Sequence, residues 1–157
     1  MFTIKPDFYN SFKCIADKCT DSCCIGWEID VDDVALEKYN KINTDFGEKI
    51  RSHIIKSDDG SSCFKLSENE RCPFLNKKNL CDIIINCGEE YLCDICREHP
   101  RFYEWFVGVT ECGLGLCCEE VCRILLESDE PFSLIQESDG EEIVLETAED
   151  VAESDFY

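Results

Sequence analysis

A chain of 157 residues, 44 % hydrophobic and 32 % charged, is long enough for one domain with its own core and short for two. Its formal net charge of −20 would repel a phosphate backbone, and no stretch approaches the roughly 18 apolar residues of a membrane span. Neither nucleic acid nor a bilayer is therefore an expected partner. The charge is uneven. All 15 Lys and Arg lie at or before Arg123, whereas twelve Asp and Glu are found from Glu127 onward. That field can attract a lysine-bearing protein or simply keep a solvated acidic tail in water.

The first residues, MFTIKPDFYNSFKC, carry no basic n-region, no apolar run of signal length and no small-residue cleavage site. A reducing, cytoplasmic compartment is expected, where thiols stay free or bind metal. EIDVDDVALEKYNKI (28–42) reads as a strand end entering a helix, with Asp30 or Asp32 as cap and Val34, Leu36, Tyr39 and Ile42 as its apolar face. FGEKIRSHIIK (46–56) reads as a second helix with Ile50 and Ile54 four apart, and SDDGSS as a turn. CFKLSENERCPFLNKKNLCDIII (63–85) suggests short strands, or a hairpin about Asn76–Asn79. GEEYLCDICREHP (88–100) is a short helix stopped by Pro100, and RFYEWFVGVTECGLGLC (101–117) a hairpin. CEEVCRILLES (118–128) is helical, and PFSLIQ (131–136) is one more strand. The expected fold class is α+β: a small, irregular, cysteine-rich metal-binding domain over 1–126, with short helices and β-hairpins. Residues 127–157 are expected to form an acidic tail or a linker toward a missing C-terminal part.

Fourteen cysteines, about 9 % of the chain, mark either a disulfide scaffold or a metal site. With no export signal, disulfides rank last. Cys14, Cys19, Cys23 and Cys24 fall inside eleven residues that also hold Asp and Ser and are followed by Gly26, so a loop can turn several thiols inward. Cys93 and Cys96 form a CxxC, which on a helix shares one face but is also compatible with redox chemistry or burial. Cys72 opens the rigid CPFL turn, Cys81 comes one hairpin later, and Cys118 stands at a helix start, where the dipole favours a thiolate. Cys117 and Cys122 read as packing residues, and Cys63, Cys87 and Cys112 have no local partner pattern. His99, close to Cys96, is a possible nitrogen ligand; His53 reads as a helix-surface residue. Spacing leaves zinc and an iron–sulfur cluster both open. The radical-enzyme spacing CxxxCxxC is missing, because Gly26 stands where its third cysteine would be. No Walker loop, convincing Rossmann loop or Ser/His/Asp set can be read.

FKCIADKCTDSCCIGWEIDVD (12–32), RCPFLNKKNLCDI (71–83), GEEYLCDICREHPR (88–101) and ECGLGLCCEEVCRILL (111–126) together resemble the N-terminal part of the flagellin lysine-N-methylase family, within a wider group of CxxCxxCC zinc- or iron-chelating domains. The resemblance implies an iron–sulfur (4Fe-4S) or zinc-binding domain serving methyl transfer from S-adenosylmethionine to lysines of flagellin or another lysine-bearing protein. It implies metal ligands Cys14, Cys19, Cys23, Cys24, Cys72, Cys81, Cys96 and Cys118, more than one cluster needs. Arg97 and Arg101, in the CRxxPR element, could hold an anionic cofactor group or neutralise cluster charge. His99 replaces the aromatic residue usual before the proline, and Glu119 the proline usual after the last cysteine. Family members are longer, so catalysis is expected of a full-length protein, with this chain alone inactive. The alternative is a non-enzymatic, structural zinc-binding module for protein contacts.

Overall fold

Asp32 decides where the first helix begins. In the computed structural model, which describes residues 2–138 and 141–145, its backbone is extended and its side chain accepts the Ala35 N–H at 2.9 Å. That bond satisfies a donor that would otherwise be orphaned. Helix α1 then runs Asp33–Lys41, acidic in its first turn and basic in its last, as the helix dipole favours. It buries Ala35 and Tyr39, one turn apart, and leaves Val34 61 % exposed. The expected apolar face is thus turned away from Val34, while Leu36 and Ile42 still pack against the core.

Thr44 caps α2 (Asp45–Ser52) by accepting the Gly47 N–H at 3.3 Å. Only glycine fits at position 47, because a Cβ there would lie 2.3 Å from the Ile42 carbonyl oxygen. This helix stops at Ser52 instead of reaching the expected Lys56. The chain then enters β2 (Ile54–Lys56), antiparallel to β3 (Ser62–Phe64), with the expected turn between them. β-branched Ile54 and Ile55 suit a strand better than a fourth helical turn.

The turn about Asn76–Asn79 is present. Asn76 Oδ1 accepts the N–H groups of Lys78 and Leu80, and a bridge joins Leu75 to Cys81. Beyond it the chain departs from the expected strand: Asp82–Cys87 is helix α3. Of its three isoleucines only Ile83 is buried, with Ile84 and Ile85 at 38 % and 59 % exposure. A strand would have paired Ile83 with Ile85 on one face. After a single 3-10 turn, Glu89–Tyr91, comes α4 (Asp94–Glu98). Around these elements Phe74, fully buried, meets Phe64 edge-on at 4.9 Å and Phe46 at 6.2 Å, with Tyr39, Ile50 and Ile29 completing the core.

Those elements make up one unit, Ala16–His99; the second comprises residues 1–15 and those from Pro100 onward. Its sheet has five strands, β1 (Phe2–Pro6), β4 (Arg101–Phe106), β5 (Val109–Leu114), β6 (Leu134–Ser138) and β7 (Glu141–Leu145), in the order β4-β5-β1-β6-β7. β1 runs parallel to β5, and the other pairs are antiparallel. The hairpin at 101–117, the helix α5 (Glu119–Glu127) and the strand near 131–136 match expectation. α5 buries Val121 against Leu114 and Phe12. β1 and β7 carry no clear signal in the sequence; β7 lies in the stretch expected as an acidic tail, of which residues 146–157 fall outside the described residues. The fold is α+β, with short helices, small sheets and many cysteines. Among the described residues no helix is long and apolar enough to cross a membrane.

Asp32 also accepts the Asp94 N–H at 2.8 Å, so one carboxylate joins the starts of α1 and α4. Burial pushes its pKa up, but the N–H donors of Asp94 and Ala35 outweigh that and hold it below the ordinary carboxylate value. Asp32→Ala should cost about 1–2 kcal/mol in urea denaturation at neutral pH. Because the folded-state pKa is depressed, this contribution is present above the unfolded-state pKa and fades as pH falls through the folded one, so the two denaturation curves should converge in acid.

Candidate metal centre

Backbone bonds join two cysteine-bearing segments in the unit Ala16–His99, and side-chain bonds of Asp32 to Asp94 N–H and of Tyr39 to Tyr91 O hold a third. Cys72 N–H donates to the Cys24 carbonyl at 2.9 Å, and Ile25 bridges Arg71, so the CC loop lies along the start of CPFL. Leu75 N–H closes the CPFL turn on Cys72 O at 3.1 Å, and the Leu75–Cys81 bridge returns the chain beside it. On the third segment Cys93 stands at the N-cap of α4, where its carbonyl accepts the Cys96 and Arg97 N–H groups. Cys72 and Cys93 are buried at 7 % and 1 % exposure; Cys24, Cys81 and Cys96 are partly buried against the same core.

The thiols feel one another. Burial, reinforced by the charges of Cys24 and Cys81, pushes Cys72 up to about 11. Burial raises Cys81 as well, with Cys24 contributing. Cys96 is raised by its hydrogen bond to Cys93, by burial, and by the charges of Cys93, Cys24 and Cys72. Two thiols move the other way. Cys24 falls to about 7 because the Cys23 side chain hydrogen-bonds to it, which outweighs burial, with Ser22 and the Arg71 charge assisting. Cys93 is lowered by its bond with Cys96 against the effect of burial, helped by the Tyr39 hydroxyl, which lies 3.3 Å from Cys93 Sγ and donates to Tyr91 O at 2.7 Å.

Sulfurs crowded in this way stay largely protonated until a cation offsets their repulsion and their lost hydration. Cys24, Cys72, Cys81, Cys93 and Cys96 lie within reach of one another's charge, and thiolates are the ligand type that zinc and iron–sulfur clusters take. Among the described residues no three His, Cys, Asp or Glu side chains are already placed to hold one metal ion. The sulfurs are within reach of one another's charge yet short of a coordination geometry. His99 adds a second sign of fit: its Nε2 is buried and has no hydrogen-bond partner among the described residues, and its ring lies 5.6 Å from that of Trp27. Burial lowers its pKa, which keeps the imidazole neutral.

The other expected site residues are distributed differently. Cys23 touches the cluster through Cys24, and Cys19 lies in the same unit, whereas Cys14 and Cys118 belong to the other. Cys117 is exposed rather than packed, and Cys122 is half-buried with its thiol donating to Leu116 O at 3.1 Å. Arg97 is tied to Asp94 and Glu98 at 2.6 and 3.2 Å, and Arg101 lies over the Tyr9 and Phe12 rings in the other unit. Arg71 is instead the cation beside the thiols. It is anchored by the Leu75 and Asn76 carbonyls and by Asn79 Oδ1. Sequence reasoning passes over Arg71 and Tyr39, and names Cys93 only as half of the CxxC with Cys96. Arg71 is legible only through its place next to Cys72; Tyr39 reads only as a core residue.

A lysine-N-methylase of Salmonella typhimurium (strain LT2) is 28 % identical over 139 residues, covering 85 % of this chain and 35 % of that protein. The chain is related to the lysine-N-methylases. It spans about a third of their length. The lysine-N-methylase of Salmonella choleraesuis (strain SC-B67) matches equally, and the flagellar biosynthetic protein FliU of Salmonella muenchen is 28 % identical over 135 residues, 83 % of this chain and 80 % of that one. No protein-family profile matches the sequence, and no solved structure matches the chain.

In this methylase relative the Cys24 thiolate should respond to its neighbours in the order of their effects. Cys23→Ala should raise its pKa from about 7 more than Arg71→Gln does. A rise of one unit leaves about a tenth of Cys24 as thiolate at neutral pH instead of about half. Ultraviolet thiolate titration and alkylation rates of the metal-free protein measure both shifts.

Proposed function

We propose that this chain is the iron–sulfur-binding part of a protein-lysine N-methyltransferase that acts on flagellin with S-adenosylmethionine as methyl donor. The observation that carries the reading is the meeting of Cys24, Cys72, Cys81 and Cys96, drawn from three separate stretches, in a relative of the lysine-N-methylases. Neutral thiols bury readily, so it is their gathering from three stretches, more than their burial, that suits an inorganic centre. Those four would hold it, with Arg71 offsetting part of its negative charge and His99, on the same segment as Cys96, a candidate nitrogen donor. When bound, the centre fastens the three segments and offers a site of Lewis-acid or redox character. The reading calls for a reducing, cytoplasmic compartment.

In the transfer the donor's sulfonium C–S bond breaks, a C–N bond forms to a neutral lysine amine, and one proton leaves the amine. A carboxylate next to the reacting nitrogen would raise its pKa and oppose that proton's loss. The acidic surface therefore suits recruitment of lysines rather than the point of transfer.

Protein purified without oxygen should be brown and contain iron and acid-labile sulfide. Cys24→Ser, Cys72→Ser, Cys81→Ser and Cys96→Ser should each lose most of the iron, whereas Cys117→Ser should retain it. Colourless protein with stoichiometric zinc would overturn the cluster and favour a structural zinc module. A full-length protein containing this chain should pass label from methyl-tritiated S-adenosylmethionine to flagellin lysines; an intact cluster with no incorporation would overturn the methyl transfer.

A further inference from the structure

One surface takes no part in the thiol cluster: the outer hairpin of the five-stranded sheet. β4 is its edge strand, with β5 as its neighbour in the sheet. Trp105 on β4 and Val107 in the turn after it are 74 % and 96 % exposed, while Phe102 and Phe106, 50 % and 48 % exposed, alternate onto the opposite face of the strand. Apolar residues gathered at a sheet edge mark a contact surface. Tyr103 and Trp105 alternate onto one face of β4, where their rings stack with centroids 6.1 Å apart. Tyr9 donates its hydroxyl to Tyr103 Oη at 3.2 Å. A hydroxyl contact and a ring contact thus link the three side chains in a row.

This row already receives a cation at one end. The Arg101 guanidinium lies 5.8 Å from the Tyr9 ring centroid and 5.3 Å from that of Phe12, within the range of cation–π attraction. At the other end stands Trp105, the strongest ring type for that attraction, and no Lys or Arg occurs between Arg101 and Arg123 in the chain.

Charge selects the occupant. The described residues of this unit carry four Lys and Arg against eleven Asp and Glu, a net −7. Lys5 is paired with Glu137, and Arg123 with Glu120 and Glu127. A second copy of this chain, or any anionic partner, would be repelled, and a cationic one drawn in. We infer that the Tyr9–Tyr103–Trp105 row docks a lysine-bearing segment of a partner protein, with the lysine methylenes along the indole and the ammonium over its face. That the partner is the methyl acceptor rests on the proposed function; the surface itself does not.

The test uses the full chain and a dye-labelled synthetic Gly/Ser peptide carrying two lysines, with fluorescence anisotropy read at low salt. Trp105→Ala should weaken binding about 2- to 5-fold, Trp105→Phe should restore part of it, and Phe132→Ala, an exposed aromatic elsewhere on the unit, should change nothing. Trimethyl-lysine should bind as well as lysine, and norleucine should not bind. Equal binding by Trp105→Ala, by norleucine, or by a second copy of the chain in sedimentation overturns the inference. Circular dichroism establishes that each variant is folded. Because the assay requires neither metal nor methyl donor, loss of methyl transfer with peptide binding intact counts against the proposed function alone, and the reverse counts against this surface alone.

Discussion

Sulfur atoms crowded under a hydrophobic core set the terms for the unit Ala16–His99. Cys72 and Cys93 are nearly inaccessible, and Cys24, Cys81 and Cys96 line the same region. Burial raises Cys72, and the Cys93 hydrogen bond and burial raise Cys96, with neighbouring thiolate charges adding to both, while Cys24 and Cys93, supplied with hydrogen bonds, fall. This alternation of donor and acceptor sulfurs keeps the set neutral enough to bury and reactive enough to take up a soft cation.

The local elements around the sulfurs are short. α3 and α4 have six and five residues, lengths that are marginal for a helix in isolation. Their order comes from packing on Phe74, Tyr39 and Ile50, and from polar bonds: two long-range, Asp32 reaching Asp94 and Tyr39 reaching Tyr91, and one local, Arg71 closing the Asn76 turn. The polar side chains that position the cluster are thus also the ones that order the loops carrying it. The second unit is built on another principle, a sheet whose centre is the N-terminal strand, flanked by one parallel and one antiparallel neighbour.

Legibility tracks the range of the interaction. Asp32 as a cap, the hairpin at 101–114 and α5 are readable because each depends on neighbours within a few residues. The local pattern makes α2 too long and 82–87 a strand, because isoleucine runs do not distinguish a buried helix face from a strand. β1 and β7 have little local pattern; β1 is a strand because β5 and β6 flank it. Of the eight cysteines named from sequence, Cys24, Cys72, Cys81 and Cys96 meet, Cys23 adjoins them, Cys19 shares their unit, and Cys14 and Cys118 lie in the other.

From the sequence alone came the α+β class, the thiol richness, the acidic field and the kinship with lysine-N-methylases, since composition, short-range pattern and ordered motifs need no knowledge of distant contacts. Only the tertiary structure brought the charges of Cys24, Cys72, Cys81 and Cys96 within reach of one another and set the Arg71 charge on Cys24. It alone set Tyr9 beside Tyr103. Those pairings span many residues, and a chain's one-dimensional order carries no record of which distant side chains its buried core will force together.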